Sequence, residues 1–233
     1  MPPFKKIPKK YQPRGFAILY EDRDIIVGNK SPGVLTVAAK WNKEHTVHAA
    51  LNDYVRKGQA KSRNCVYVVH RLDQHTSGVL IFAKTEKMQI ALKDDWKNTV
   101  KTYYAVAHGT FAKKSGTVSS YLEEDEDYVI HSSQDSAKGK LSHTEYTVLK
   151  ETGKFSLLKI NLLTGRKNQI RVHMADEGHP VVGDDKYGKG FPKFARLALH
   201  ARSIEFSHPF SQKRLTFETQ VPDHFRKLVD YAY

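Results

Sequence analysis

The stretch His70-Arg71-Leu72-Asp73-Gln74-His75-Thr76-Ser77-Gly78 lies between two apolar runs, residues 66–69 (VYVV) and residues 79–83 (VLIFA). Runs rich in β-branched and aromatic residues predict buried strands, and a Thr-Ser-Gly sequence predicts a turn. A histidine, an arginine and an aspartate are therefore expected together between two rigid strands. Because charge is costly to desolvate unless it is paired, this grouping indicates a functional site. A plainer alternative is that Asp73 only caps the turn by bonding nearby backbone N–H groups.

The composition of the chain points to a nucleic acid partner. With 233 residues, the chain is long enough for one large domain or two small ones. Its formal net charge of +13 predicts a polyanionic partner, most simply nucleic acid. A membrane surface is not expected, because the sequence has no apolar run of transmembrane length and no basic amphipathic anchor. Residues 1–11 are rich in Lys and Pro and lack the apolar core of a secretory signal.

The remaining pattern predicts many strands and a few helices, which is typical of an α+β fold on a largely antiparallel mixed sheet with flanking helices. Residues 1–14 are expected to form a basic, flexible arm before a single domain over residues 15–233. Helical spacing predicts helices over residues 46–57 and 85–96. Further strands are predicted over 16–20, 25–27, 34–37, 101–108, 143–149, 155–163, 196–206 and 214–219, and further helices over 168–177 and from Pro222.

A second polar group follows the predicted strand 155–163, in residues 164–173 (TGRKNQIRVH). Gly165 is expected to make a turn, after which a helix begins. Arg171 lies between two apolar residues, where an arginine is costly to bury unless a carboxylate meets it. Asp73 is the expected carboxylate partner. The alternative is that Arg171 belongs, with Arg166 and Lys167, to a phosphate-binding face.

The sequence does not favour a metal or nucleotide cofactor. The acidic block at residues 123–127 (EEDED) is expected at a solvated hairpin tip or in a mobile loop, and a metal site there is less favoured. The twelve histidines form no His-Glu-x-x-His motif. The Gly-Lys-Gly at residues 188–190 lacks the third glycine of a dinucleotide fingerprint. One cysteine, Cys65, excludes an internal disulfide and favours a reducing, cytoplasmic location.

Several of these blocks resemble the motifs of the RluA family of pseudouridine synthases. Residues 70–78 resemble its His-Arg-Leu-Asp-x-x-Thr-Ser-Gly block, residues 101–105 (KTYYA) its Lys-x-Tyr-x-Ala block, and residues 165–173 its Gly-Arg-x-His-Gln-Ile-Arg-x-His block. The matching blocks continue through residues 178–188 and 197–209, in the order of the family. The resemblance therefore implies a pseudouridine-synthase-like catalytic domain, here without the S4 RNA-binding domain that some relatives carry. One departure is Asn168, which stands where the family usually has His.

The resemblance implies isomerisation of uridine in ribosomal or transfer RNA, without a cofactor or metal because the product is an isomer. Asp73 would be the catalytic carboxylate, either as nucleophile at the sugar or as base at C2′. Arg171 would pair with Asp73 and keep it ionised. Tyr103 would stack on the uracil and assist deprotonation, and Arg71 would fill the stack left by the flipped nucleotide.

The other residues expected at the substrate and RNA surface belong to the same blocks. They are His70, Arg71, Thr76, Lys101, Arg166, Gln169, Ile170 and His173. The expected partner is RNA, and the expected oligomeric state is a monomer. Two other classes stay open. A hydrolase of glycosidic bonds would need a second carboxylate, such as Asp184 or Glu205. A non-catalytic RNA-binding protein would explain the charge but not a buried pair of Asp73 and Arg171.

Overall fold

The computed structural model describes residues 7–39, 42, 44–59 and 61–230, which group into two compact units. The first unit contains residues 1–99 and 203–219, and the second contains residues 100–202 and 220–233. Every strand pairing described within each unit is antiparallel, which confirms the α+β class with a largely antiparallel sheet. None of the described helices is long and apolar enough to cross a membrane.

The first unit is organised around one fully buried strand, β4. Its apolar sequence is buried at all positions, as a continuous hydrophobic run predicts. β2 and the short β3 pair with β4, β1 pairs with β2, and the end of β10 pairs with β11. The elements of this unit are β1 (Phe16–Glu21), β2 (Ile25–Lys30), α1 (Val47–Arg56), β3 (Tyr67–Val68), β4 (Ser77–Ala83), α2 (Glu86–Asp94), β11 (Arg214–Glu218) and the part of β10 (Leu199–Ser207) that starts at Ser203.

Both helices of the first unit begin where the sequence predicted. The side chains of Thr46 and Thr85 accept hydrogen bonds from the first turns of α1 and α2. The helix predicted to reach Trp96 ends at Asp94, and Trp96 lies in a following 3₁₀ turn while still packing on the core. The strand predicted over residues 34–37 is wrong. The only β-bridge of this segment joins Leu35 to Thr46, because the Thr36 side chain bonds the loop that contains Leu72 instead of a neighbouring strand.

The segment before β1 is attached to it over the residues that the structure describes. The Gln12 side chain accepts a hydrogen bond from the Ile18 N–H and donates one to the Ile7 carbonyl. Residues 1–6 of the expected flexible arm lie outside the described part. The boundary at residue 15 between arm and domain stays a prediction.

The second unit is built on an antiparallel sheet with the strand order β5, β9, β8, β6 and β7. Helix α3 packs against β6, β7 and β8, and α4 packs against β5 and β9. The acidic block at residues 123–127 lies at the tip of the β6–β7 hairpin, which is one of the two locations expected from the sequence. The elements are β5 (Val100–His108), β6 (Ser115–Glu124), β7 (Ile130–Ser133), β8 (Lys140–Glu151), β9 (Phe155–Leu162), α3 (Gln169–Asp176), the start of β10 and α4 (Asp223–Val229).

His173 fastens α3 to the strands beneath it. Its ring is buried, with Nε2 at 3.0 Å from the Ser120 hydroxyl on β6 and Nδ1 at 2.8 Å from the Thr144 hydroxyl on β8. Burial lowers the pKa of His173 to about 4, although the Asp176 carboxylate opposes this shift. The folded protein therefore keeps this ring neutral at pH 7.

We predict that the fold loses stability as the pH falls from 6.5 towards 4. The unfolded His173 ring takes up a proton near pH 6.5, whereas the folded ring resists protonation down to about pH 4. The unfolded state therefore binds more protons in this window, and the free energy of unfolding falls by up to ~3 kcal/mol. Urea unfolding at several pH values is the measurement. His173→Gln should flatten this pH dependence, and the exposed control His45→Gln should not. Equal slopes in all three proteins would contradict the prediction.

Candidate active site

The loop that carries Asp73 connects β3 to β4 and is bound along residues 30–36. The Thr36 hydroxyl donates to the Leu72 carbonyl at 2.8 Å and accepts from the Leu72 N–H at 3.2 Å. The Gly33 N–H donates to the Gln74 carbonyl at 2.8 Å, and the Gln74 side chain donates back to the Gly33 carbonyl at 3.0 Å. Gly33 has φ of +85°, a left-handed conformation that favours glycine. The backbone on both sides of Asp73 is thus fixed.

Lys30 is completely buried and holds the same loop in place through hydrogen bonds. Its Nζ donates to three backbone carbonyls, those of Ser31 at 2.9 Å, Val34 at 2.7 Å and Gln74 at 2.9 Å. Burial lowers the pKa of Lys30 to about 7, and the Asp73 carboxylate acts in the opposite direction. Because one of these carbonyls belongs to the residue after Asp73, Lys30 helps to fix the position of the Asp73 loop. Lys30 was not predictable from the sequence, since a single lysine at the end of a predicted strand carries no local signal of burial.

The other expected residues of this loop differ in exposure. Arg71 is exposed and is free of the core, as a side chain that reaches RNA needs to be. His70 is half-buried, with Nε2 accepting from the Ile81 N–H at 3.2 Å and its ring packed on Trp96 at 4.8 Å between centroids. Thr76 is buried, and its hydroxyl has no hydrogen-bond partner among the described residues. The turn itself is closed by the Asp73 backbone carbonyl, which accepts from the Thr76 N–H at 3.1 Å.

Arg171 in the second unit is held by a carboxylate that the sequence analysis did not assign to it. Its Nε and Nη2 donate to the two oxygens of Asp184 at 2.7 and 2.8 Å. Its Nη1 donates to the Asn168 side-chain oxygen at 3.1 Å, and the guanidinium lies 5.1 Å from the centre of the Tyr187 ring. Burial would raise the pKa of Asp184, but Arg171 and two backbone N–H groups outweigh it and hold that pKa below its ordinary value. The pairing of Arg171 with Asp73 stays a prediction.

The loop around Asp184 is built to hold that carboxylate in place. Gly183 has φ of +77°, and a Cβ on it would lie 2.0 Å from the Arg196 carbonyl oxygen. Asp184 Oδ1 also accepts the N–H groups of Lys186 and Tyr187, each at 3.0 Å. The sequence signal that was available is the Gly-Asp pair within a Gly- and Pro-punctuated loop, which is typical of an aspartate that bonds its own backbone.

The conformation and contacts of Asn168 show what an asparagine does at the position where the family usually has His. It takes the left-handed conformation, with φ of 54°, just before α3, and asparagine tolerates this region better than most residues. Its amide nitrogen donates to the Tyr187 hydroxyl at 3.0 Å while its oxygen accepts from Arg171. The asparagine therefore helps to orient the guanidinium.

The remaining expected residues of the second unit divide into exposed and buried side chains. Arg166 is exposed, in keeping with phosphate binding. Gln169 is buried and bonds the Arg166 N–H, and His173 is buried between two hydroxyls. Direct RNA contact expected for Gln169, Ile170 and His173 is at odds with this burial, because these side chains already pack inside the unit. Lys101 and Tyr103 lie two residues apart on β5 and so share one face.

The two carboxylates that a hydrolase would use are both engaged by arginines. Asp184 binds Arg171, and Glu205 accepts from Arg214 Nε at 2.8 Å. A general acid has to carry a proton that it can give to the leaving group, whereas a partner arginine favours the ionised form. The structure therefore offers no support for the glycosidic hydrolase.

One group of three metal-type ligands occurs among the described residues, namely Asp22, Asp24 and His208 in the first unit. His208 Nδ1 accepts the Ser211 N–H at 3.2 Å, so the proton of the neutral ring is on Nε2. That nitrogen faces the two carboxylates at 3.7 and 4.0 Å. A protonated nitrogen is a donor and not a metal ligand, and the group is therefore a poor metal site. The expected absence of a metal stays a prediction.

Comparison with known proteins assigns the family. A family model described as RNA pseudouridylate synthase matches residues 24–176. The dual-specificity RNA pseudouridine synthase RluA of Vibrio cholerae is 37% identical over 232 residues, which cover 92% of this chain and 91% of that protein. A ribosomal large subunit pseudouridine synthase D of Blochmanniella floridana is 33% identical, covering 91% and 71%. The solved structure of human RNA pseudouridylate synthase domain containing 1 aligns with a TM-score of 0.72 at 25% identity, covering 92% and 86%.

The fold and these similarities define an enzyme that isomerises uridine in RNA. The chain belongs to the RNA pseudouridine synthase family, of the type that includes RluA. The expected family and enzyme class are thereby confirmed.

Replacing Lys30 by methionine should destabilise the protein. Lys30→Met keeps the apolar stem but removes three hydrogen bonds to the carbonyl oxygens of Ser31, Val34 and Gln74, and we expect the free energy of unfolding to fall by about 2–4 kcal/mol. The exposed control Lys113→Met should change it by less than ~0.5 kcal/mol. Denaturant unfolding measures both, and wild-type stability of Lys30→Met would refute this role.

Removing the partner of Arg171 should have a larger effect. Asp184→Ala leaves a mostly buried guanidinium without its carboxylate, which typically costs about 3–5 kcal/mol. The double variant Asp184→Leu/Arg171→Met should regain most of the stability, since no unpaired charge remains, yet stay inactive. Arg166→Ala is the control and should mainly weaken RNA binding. If Asp184→Ala unfolded at the same denaturant concentration as wild type, the pair would not be the support described here.

Proposed function

We propose that Asp73 is the catalytic carboxylate of this RNA pseudouridine synthase, acting on uridines of ribosomal or transfer RNA. The observation that carries the proposal is the Asp73 loop, whose backbone is bonded on both sides while the adjacent Arg71 stays exposed. A fixed carboxylate beside an exposed cation suits a reaction on a polyanion, because the cation binds the substrate while the acid stays in position. The name of one similar protein supports ribosomal RNA as a substrate, and the name of the other, a dual-specificity enzyme, supports more than one kind of RNA target.

The reaction breaks the bond between uracil N1 and ribose C1′, turns the base over, and joins C1′ to C5. The hydrogen on C5 is then lost as a proton and N1, released from the sugar, takes up a proton, so that the product is an isomer of uridine. Asp73 takes part either as nucleophile at the sugar or as base at C2′. Tyr103 stacks on the uracil and assists in removing the C5 proton. Arg171, kept charged by Asp184, favours the ionised form of Asp73.

The target base leaves its stack before it reacts, since its reacting atoms are inaccessible within a helix. Arg71 takes the vacated place in the stack. The net charge of +13 supplies most of the affinity through phosphate contacts, which salt weakens. We also propose that the enzyme acts in the cytoplasm as a monomer and uses no metal, since the chemistry is an isomerisation.

The test replaces Asp73 by the neutral isostere asparagine. Asp73→Asn should abolish pseudouridine formation, measured as nucleosides in RNA that was incubated with the enzyme. Its melting temperature and RNA affinity should stay close to wild type, because the loop is held by backbone groups and other side chains. The exposed control Asp53→Asn should keep full activity. Substantial pseudouridine formation by a folded Asp73→Asn enzyme would overturn the assignment.

A further inference from the structure

A cavity of about 640 Å³ opens within the second unit. Its wall is formed mainly by residues 183–195, the Gly- and Pro-rich segment that the sequence analysis left without a role, together with His108 and Val181. This volume is in the range of about 300–1,000 Å³ that small-molecule and cofactor sites occupy. The roles proposed above for the active-site residues use none of the residues from Gly188 to Ala195.

The floor of the cavity is aromatic. His108 is 5% exposed, and its ring lies 4.8 Å from that of Phe191 and 5.9 Å from that of Phe194, between centroids. Phe191 is 40% exposed, so part of its ring is open to a ligand. An exposed phenylalanine ring that packs on the His108 ring, which in turn packs on Phe194, is a surface on which a planar group can stack.

His108 also brings polar groups to the cavity. Its side chain is more than nine-tenths buried, and it lines the cavity. Burial lowers the pKa of the His108 ring, which is therefore neutral at pH 7. A neutral imidazole offers one donor and one acceptor, the pair of groups that the edge of a nucleobase complements.

The charges at the cavity suit a phosphate beside the base. Lys189 and Lys193 are exposed at its rim. Of the two carboxylates in the wall, Asp184 is neutralised by Arg171, and Asp185 is exposed to solvent. Aromatic rings for stacking combined with lysines for the backbone are the usual means of binding single-stranded nucleic acid.

We propose that this cavity binds an unpaired nucleotide of the substrate RNA, with the base on Phe191 beside His108 and the phosphate at Lys189 and Lys193. The proposal rests on the proposed function, in which RNA is the substrate. Asp184 lines the cavity and also holds Arg171, so the bound nucleotide lies against the support of a proposed active-site residue. The site thereby selects RNA in which an unpaired base can reach it.

Binding of two short RNA probes tests the proposal. One is octauridylate, and the other is an abasic octamer of the same charge. We expect Phe191→Ala to reduce the preference for octauridylate about tenfold, within the range for loss of one stacked base, and to leave affinity for the abasic octamer unchanged. Phe210→Ala is the matched control, since Phe210 is 42% exposed and lies outside the cavity. Lys193→Ala should weaken both probes alike, whereas Lys113→Ala should weaken neither.

A photocrosslink gives an independent readout. Octamers carrying one 4-thiouridine should crosslink to the peptide containing residues 188–195 in wild type, and Phe191→Ala should reduce that crosslink. Equal probe preference in wild type, Phe191→Ala and Phe210→Ala, or crosslinks only outside this peptide, would overturn the proposal. If the cavity fails these tests while Asp73→Asn abolishes pseudouridine formation, the proposed function stands alone. If Asp73→Asn stays active while the probes behave as expected, the cavity is an RNA site independent of that assignment.

Discussion

A cation taken out of water has to be surrounded by oxygen atoms, and this constraint determines the two loops on which the proposed chemistry depends. In the first unit, Lys30 is enclosed completely and donates to three carbonyls, one of which belongs to the residue after Asp73. In the second unit, the Arg171 guanidinium is met by both oxygens of Asp184 and by Asn168. Each cation binds parts of the chain that are distant in sequence, so each loop can take only a narrow set of positions.

Fixed positions are useful to an enzyme whose own side chains, as we propose, perform the chemistry. An isomerisation that detaches a base and attaches it again needs a carboxylate and a pocket that move little during the reaction. The hydrogen bonds of Lys30 and Thr36 that hold the Asp73 loop therefore serve the proposed chemistry as well as the stability of the fold. The exposed Arg166 suits the different task that we propose for it, since phosphate contacts tolerate flexible side chains and give affinity without orientation.

The elements with strong local patterns were predictable from the sequence. The buried strand β4 follows from its apolar run, and α1 and α2 follow from helical spacing and threonine caps. Features that depend on distant partners were not predictable. The sequence of residues 34–37 predicts a strand, and the bonds of Thr36 to the Asp73 loop, which replace strand pairing, are visible only in the structure. Asp184 carries no motif that marks it as the partner of Arg171, because the pairing arises only when its loop folds back on α3. The left-handed conformation of Asn168 was likewise not predictable, because it accompanies bonds to Arg171 and Tyr187.

This chain rearranges uridine within RNA without releasing the detached base. The most direct measurement uses RNA labelled with tritium at uracil C5, incubated with the enzyme and analysed for tritium in water, pseudouridine and free uracil. We expect tritium release equal to the pseudouridine formed, with no free uracil, because the new bond is made at C5. Free uracil that retains its tritium would contradict isomerisation and indicate hydrolysis. If the RNA stays unchanged under conditions in which the protein binds it, the result would indicate a protein that binds RNA without modifying it.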